Sequence, residues 1–226
     1  VGIVAGLGAA GFYYLLNLTQ AYALGHLEGY YPPASGDESV QHAMQMPTHW
    51  WAVLLVPTMG GLLSGLLVYS FAPEAEGHGT DAMVRAFHQL RGKIRARVPL
   101  IKTVASILTI GTGGSAGREG PIAQIGAGFG SFFADRIGLG EQDRRLLMLS
   151  GGGAGIGAIF RAPLGGALFA SEVLYGSTAL EAAAVIPCFI ASIMAYSVFA
   201  AIFGQGLAFT TPPDLAFRHI GELPLY

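Results

Sequence analysis

Three stretches of this chain, 1–25, 50–73 and 182–213, contain no charged residue. Each is long enough to cross about 30 Å of hydrocarbon at roughly 1.5 Å of rise per helical residue. Continuous apolar stretches of that length satisfy their backbone polar groups inside lipid only as helices. Composition agrees with this reading. Of the 226 residues, 52% are hydrophobic and only 12% are charged, about half the charged fraction of a soluble domain. The 34 glycines suit close helix packing and broken helices. The single cysteine, Cys188, excludes an internal disulfide and reads as a small buried hydrophobe. The chain opens on Val1 and is apolar from its first residue. The expectation is therefore a piece of a longer membrane protein rather than a signal peptide ahead of a mature domain.

Between the long windows lie shorter apolar pieces at 103–117, 120–134, 146–160 and 162–171. Each is marginal for a full span, as in broken, tilted or re-entrant helices. If 1–25 runs outward, the connections near 74–102, 135–145 and 175–181 fall inside. They hold Arg85, Arg91, Lys93, Arg95, Arg97, Lys102, Arg136, Arg144 and Arg145, nine of the twelve basic residues. The outer side keeps Arg118, Arg161 and Arg218, and loop 26–49 has Glu28, Asp37 and Glu38 with no Lys or Arg. That asymmetry follows the positive-inside rule. Trp50-Trp51 reads as an interfacial anchor for the second span. Lys102 is expected near the inner surface, and a continuous helix over the 17 residues from there to Glu119 would carry the glutamate about 25 Å toward the outer side. The Gly61/Gly65, Gly126/Gly130, Gly151/Gly155 and Gly153/Gly157 spacings predict helix contacts.

Three glycine-bearing helix starts stand out: Glu76-Gly-His-Gly-Thr-Asp81, Gly117-Arg-Glu-Gly-Pro121 and Phe160-Arg-Ala-Pro-Leu-Gly165. The second puts a charged pair at membrane depth where a helix is about to begin, because proline suits the first helical turn. The run 111–117 before it is too glycine-rich for a regular helix and can leave its amides free. A carboxylate there sits where an anion would bind, and one that competes with a dissolved anion is a gate. In the first start, Thr80 or Asp81 is expected to cap an amphipathic helix running to about Leu90. Two such starts converging would offer partial positive charge to an anion at the midplane. The Phe160 turn reads as a simple helix break.

Gly117-Arg-Glu-Gly-Pro121 resembles the central signature of the CLC family of chloride channels and proton/chloride exchangers. Lys102 on the preceding helix, Gln124-Ile-Gly126 after the signature, and the segment Gly155–Glu172 with its Phe160-x-Ala-Pro-Leu turn extend the likeness over about 1–205. The resemblance implies an all-α integral membrane fold of broken and tilted helices. It also implies a single transmembrane region over 1–226: the first of two inverted repeats over about 1–205, and an extracellular connection over about 206–226. It assigns the gate to Glu119 and outer anion binding to the amides of Arg118, Glu119 and Gly120. Gly77, His78 and Gly79 fall where the family has Gly-Ser-Gly-Ile-Pro, with His78 in the place of the anion-binding serine. The family's second anion-binding helix start and its pore tyrosine belong to the second repeat, which this chain lacks. Imidazole donates from either nitrogen and becomes cationic near pH 6.5. Either the ring strengthens or retunes anion binding, or only its backbone contributes. Glu172 matches the first of the paired glutamates in exchangers and reads as a structural carboxylate. Val173 stands in place of the second, which argues for a channel, the alternative being proton-coupled chloride antiport. Further implications are chloride as transported ligand without a cofactor, a lipid bilayer, homodimers of full-length subunits partly through 163–177 and 182–204, and a prokaryotic plasma (inner) membrane. The fluoride-exporting branch departs from the intact Glu-Gly-Pro.

Readings from other classes are weaker. Gly113-Gly-Ser115-Ala-Gly117 fits Gly-x-Ser-x-Gly and raises an intramembrane serine protease using Ser115 as the alternative. None of His26, His42, His49, His78, His88 or His219 lies mid-span to serve as its base, however, and only His78 can approach the bilayer interior. The Gly111 and 151–157 glycines lack the strand and the ribose-binding acid of a dinucleotide site. His26, His42 and His49 have irregular spacing and read as solvated loop residues rather than metal ligands. With a net charge of −2, the Arg91–Arg97 run is a cytoplasmic charge belt, not a nucleic-acid surface. No enzymatic activity is expected.

Overall fold

The computed structural model describes residues 1–30, 47–173 and 182–205. The expectations for Asp37, Glu38, His42, the 175–181 connection, Arg218, His219 and 206–226 lie outside the described residues, as does the side chain of Val173. Among the described residues the chain is helical without strands: α1 (Gly2–Gln20), continued by π-helical turns over Ala21–Glu28; α2 (Trp50–Phe71); a short 3-10 turn (Pro73–Ala75); α3 (Thr80–Gln89); α4 (Arg97–Gly111); α5 (Glu119–Arg136); α6 (Glu141–Ile159); α7 (Pro163–Val173); and α8 (Ala182–Phe203). Three helical stretches are long and apolar enough to cross a membrane: Gly2–Glu28, Trp50–Phe71 and Ala184–Phe203. They coincide with the charge-free windows. The last window ends as a helix at Phe203 because Gly204 takes a positive φ of 80°. Their outward faces are apolar: Leu54, Leu66 and Ile186 are each about two-thirds exposed (67%, 66% and 66%), as lipid-facing or subunit-facing side chains require.

The core is built on α6, which packs against α5, α7, α8 and α1 and is buried from Met148 to Ile159. Glycine makes that possible. A Cβ on Gly126 would lie 2.8 Å from the Gly151 carbonyl carbon, and one on Gly155 would lie 2.7 Å from the Ile122 oxygen. A Cβ on Gly153 would be 2.9 Å from the Gly166 oxygen. The Gly126/Gly130, Gly151/Gly155 and Gly153/Gly157 pairs are thus helix contacts, the first two between α5 and α6. The Gly61/Gly65 pair is different. Neither glycine has a neighbour within 4 Å of its would-be Cβ, and it is Gly60 that packs on α4, 2.7 Å from the Leu108 oxygen. Cys188 is buried, 3.8 Å from the Ser150 hydroxyl.

Two local expectations are corrected. Neither Thr80 nor Asp81 caps α3. The N-cap is Gly79, at φ 113° and without a side-chain cap bond, because the Thr80 hydroxyl instead meets His78 Nδ1 at 3.1 Å. Nor does one helix run from Lys102 to Glu119. Helix α4 stops at Gly111, and 112–118 turn back, with Gly114 N–H donating to the Thr109 oxygen at 2.9 Å. The helical-rise distance therefore does not apply, and Lys102 lies close to the start of α5. Lys102 is also only 4% exposed, so it does not belong to a surface belt.

Candidate functional site

Two helix starts meet at the centre of the fold. Gly79, which opens α3, lies against Gly120 near the start of α5. A Cβ on Gly79 would be 2.5 Å from the Gly120 oxygen, and one on Gly120 would be 2.5 Å from His78 Nδ1. Only residues without side chains allow that approach, and Gly79 also needs its positive φ. Helix α5 begins internal bonding at Ile122 N–H, which donates to the Arg118 oxygen at 3.1 Å. The amides of Glu119 and Gly120 are left with no acceptor among the described residues. Unsatisfied amides at a helix start carry partial positive charge and suit an anion.

The Glu119 carboxylate folds back over Gly117, where a Cβ would collide with it. It is half-buried, and Gly117 beneath it lines a cavity of about 340 Å³. Gly61 and Gly65 of α2, Lys102 and Ser106 of α4, His78 and Gly117 are among the residues that line this cavity. The unpacked Gly61/Gly65 face thus serves as cavity wall instead of a helix contact. His78 is exposed, and with Nδ1 engaged to Thr80 its Nε2 is the ring nitrogen left for another partner. Arg118 is half-buried, with its guanidinium 5.9 Å from the Tyr13 ring centroid.

The connection that carries Gly77-His78-Gly79 is held from below. Lys102 Nζ donates to the Ala75 oxygen at 3.0 Å and to the Gly77 oxygen at 2.6 Å. Gln124, 1% exposed on α5, donates from Nε2 to the Glu74 oxygen at 3.1 Å. Outside the membrane-spanning segments, Arg95 pairs with Glu74 through two hydrogen bonds. That guanidinium holds the Glu74 carboxyl below its ordinary range. These braces turn the Ala75, Gly77 and Glu74 carbonyls toward Lys102 and Gln124. Sequence reasoning named Lys102 and Gln124 without assigning them this work.

All the residues expected at the site, Gly77, His78, Gly79, Arg118, Glu119 and Gly120, fall in this one neighbourhood. Ser115 does not acquire a base. It lies exposed in a shallow hollow with Gln20, Leu24 and Ile110, and among the described residues no histidine lines it.

Fold and site together define a polytopic helical membrane protein in which two glycine-flanked helix starts converge beside a largely apolar cavity that carries Glu76, His78 and Lys102. A sequence profile described as voltage gated chloride channel matches residues 60–226. A putative chloride channel protein, ClcB-like, of Ralstonia nicotianae is 32% identical over 72% of this chain and 38% of its own length. Chloride channel protein CLC-e of Arabidopsis thaliana is 34% identical over 79% of this chain and 25% of its own length. The voltage-gated ClC-type chloride channel ClcB of Escherichia coli is 33% identical over 88% and 44%. The crystal structure of a slow cyanobacterial Cl-/H+ antiporter superposes with a TM-score of 0.74 at 26% identity, covering 99% of this chain and 50% of that one. A CLC-type fluoride/proton antiporter has the same fold, with a TM-score of 0.74 at 21% identity. The chain belongs to the voltage-gated chloride channel (CLC) family, and it spans half or less of the length of these relatives.

Proposed function

We propose that the full-length protein carries chloride across a membrane through a CLC-type pore whose gate is the Glu119 carboxylate. The observation that supports this most is the meeting of the two helix starts. Gly79 and Gly120 touch, and the Glu119 carboxylate folds over Gly117 beside the Glu119 and Gly120 amides, which find no acceptor among the described residues. An ionised carboxylate at such a place competes with chloride for the same partial positive charge. Protonation removes its charge, and an anion takes its place. The amides of Gly77, His78, Gly79, Arg118, Glu119 and Gly120 are the anion-binding set, and no resident cofactor is needed.

Channel-like passage is the first reading, because Val173 stands where exchangers of the family carry a second glutamate. Proton-coupled antiport is the second, favoured by the likeness to the cyanobacterial Cl-/H+ antiporter. Bacterial relatives named as chloride channels support an inner-membrane setting. Pairing of full-length subunits through faces that include α7 and α8 completes the reading. Chloride efflux from vesicles bearing the full-length protein tests it. Selective chloride efflux is expected, and vesicles that retain chloride would refute transport. A chloride-binding titration of His78→Ser across about pH 5 to 8 then separates ring from backbone. A pH profile like the parent's assigns the site to the backbone alone.

A further inference from the structure

We propose that Glu76 is the proton-exchanging carboxylate of this pore, and that it fills from the cavity wall the role that Val173 cannot fill at the end of α7. This rests on Glu119 being the gate and on the second reading above, proton-coupled antiport. Glu76 lies two residues before His78 and lines the same cavity as His78 and Gly117. Its side chain is the acceptor of a 2.7 Å hydrogen bond from the Tyr69 hydroxyl of α2. It makes no ion pair among the described residues. Its neighbour Glu74, by contrast, is taken up by Arg95, and the ammonium of Lys102 is spent on the Ala75 and Gly77 carbonyls. Glu76 can therefore gain and lose a proton without breaking a salt bridge.

The ionisable groups around it on the wall are Tyr69 from α2, Lys102 from α4 and His78 from the connection. The Glu119 carboxylate reaches the wall through Gly117, a wall residue over which it folds. The wall also carries the hydroxyls of Ser64, Ser106 and Thr109. A volume of about 340 Å³ holds on the order of ten waters at ~30 Å³ each, enough to connect the carboxylate to the imidazole and to Gly117, against which the gate carboxylate folds.

The transfer balances at each step. The Glu76 carboxylate accepts a proton from solution and becomes the neutral acid. It passes that proton through cavity water to the His78 nitrogen not bonded to Thr80, and is again a carboxylate. The imidazolium returns the proton from that same nitrogen to the Glu119 carboxylate. His78 ends neutral, and Glu119 ends as the acid that yields its place to an anion. Glu172, the carboxylate nearest to Val173 in sequence, is not part of this cavity wall.

The experiment uses the full-length protein in vesicles, with chloride and proton movement followed together under an imposed pH gradient. The parent protein is expected to shift its reversal potential with pH. Glu76→Gln is expected to lower the proton-to-chloride ratio at least tenfold. Glu76→Asp should restore most of it, and Tyr69→Phe, which keeps the carboxylate, should slow proton entry severalfold. A parent reversal potential that ignores pH would overturn the proposal, as would Glu76→Gln moving protons at the parent's ratio. Failure of the underlying reading looks different: chloride itself would not move, or Glu119→Gln would leave pH-dependent opening unchanged.

Discussion

Alanine at Gly77, Gly79 and Gly120 tests the meeting of the helix starts, because the three positions differ in what a methyl group would encounter. Gly77 has a φ of 78° and open space around its would-be Cβ. Alanine there incurs only the left-handed backbone penalty, about 1–2 kcal/mol. Gly79 has a φ of 113° and a Cβ position 2.5 Å from the Gly120 oxygen. Ordinary van der Waals contact begins near 3.4 Å, so α3 and α5 must part by about 0.9 Å, an overpacking cost of roughly 1–3 kcal/mol on top of the backbone term. The expected total for Gly79→Ala is about 2–5 kcal/mol. Gly120 is helical, so Gly120→Ala incurs the steric part alone, against the His78 carbonyl and the ring nitrogen 2.5 Å away. Equilibrium unfolding in mixed micelles reads the stabilities, and calorimetric chloride titration reads the site. Gly79→Ala should lose the most stability, and clearly more than Gly77→Ala. Chloride affinity should fall furthest where the helix starts are forced apart. Equal losses at Gly77 and Gly79 would refute the contact.

Further outcomes follow from other parts of the structure. Gly126→Leu should be far more damaging than Gly61→Leu, because a side chain at Gly126 meets the Gly151 backbone while one at Gly61 meets open space; retained thermal stability in Gly126→Leu would contradict the α5–α6 packing. The Arg95 hydrogen bonds hold the Glu74 carboxyl low, so their contribution is present above the carboxyl's unfolded value, near 4.3. It is lost as pH falls through the lower folded value. Arg95→Gln should therefore flatten the acid limb of a stability-against-pH curve, and an unchanged acid limb would show that the pair contributes nothing. Lys102→Met should loosen the Gly77-His78-Gly79 connection by removing the hydrogen bonds to the Ala75 and Gly77 oxygens, read as faster amide exchange at 77–80 and weaker chloride binding.

Much of this fold is legible because lipid leaves few choices. The windows without charge become α1, α2 and α8, and the Glu-Gly-Pro run opens α5 at Glu119 as proline chemistry requires. What was misread involves partners that spacing does not reveal. Gly61 and Gly65 repeat like a helix contact, yet the packed glycine is Gly60, one residue earlier. Thr80 has the chemistry of a cap but is drawn to His78. The rise from Lys102 to Glu119 assumed a helix through 112–118, where glycines turn the chain back. Glu76 carried a signal that could have been weighed, a carboxylate two residues before the histidine proposed for the anion site. Only the fold brings Tyr69 to it and shows that Arg95 belongs to Glu74.

The central claim is that the Glu119 carboxylate and an anion compete for one place at the start of α5. Chloride flux through the full-length protein, measured against pH for the parent and for Glu119→Gln, tests it most directly. The parent flux should rise as pH falls and the carboxylate is neutralised, whereas Glu119→Gln should be open and nearly independent of pH. A Glu119→Gln protein that retained the parent's pH dependence would contradict the account.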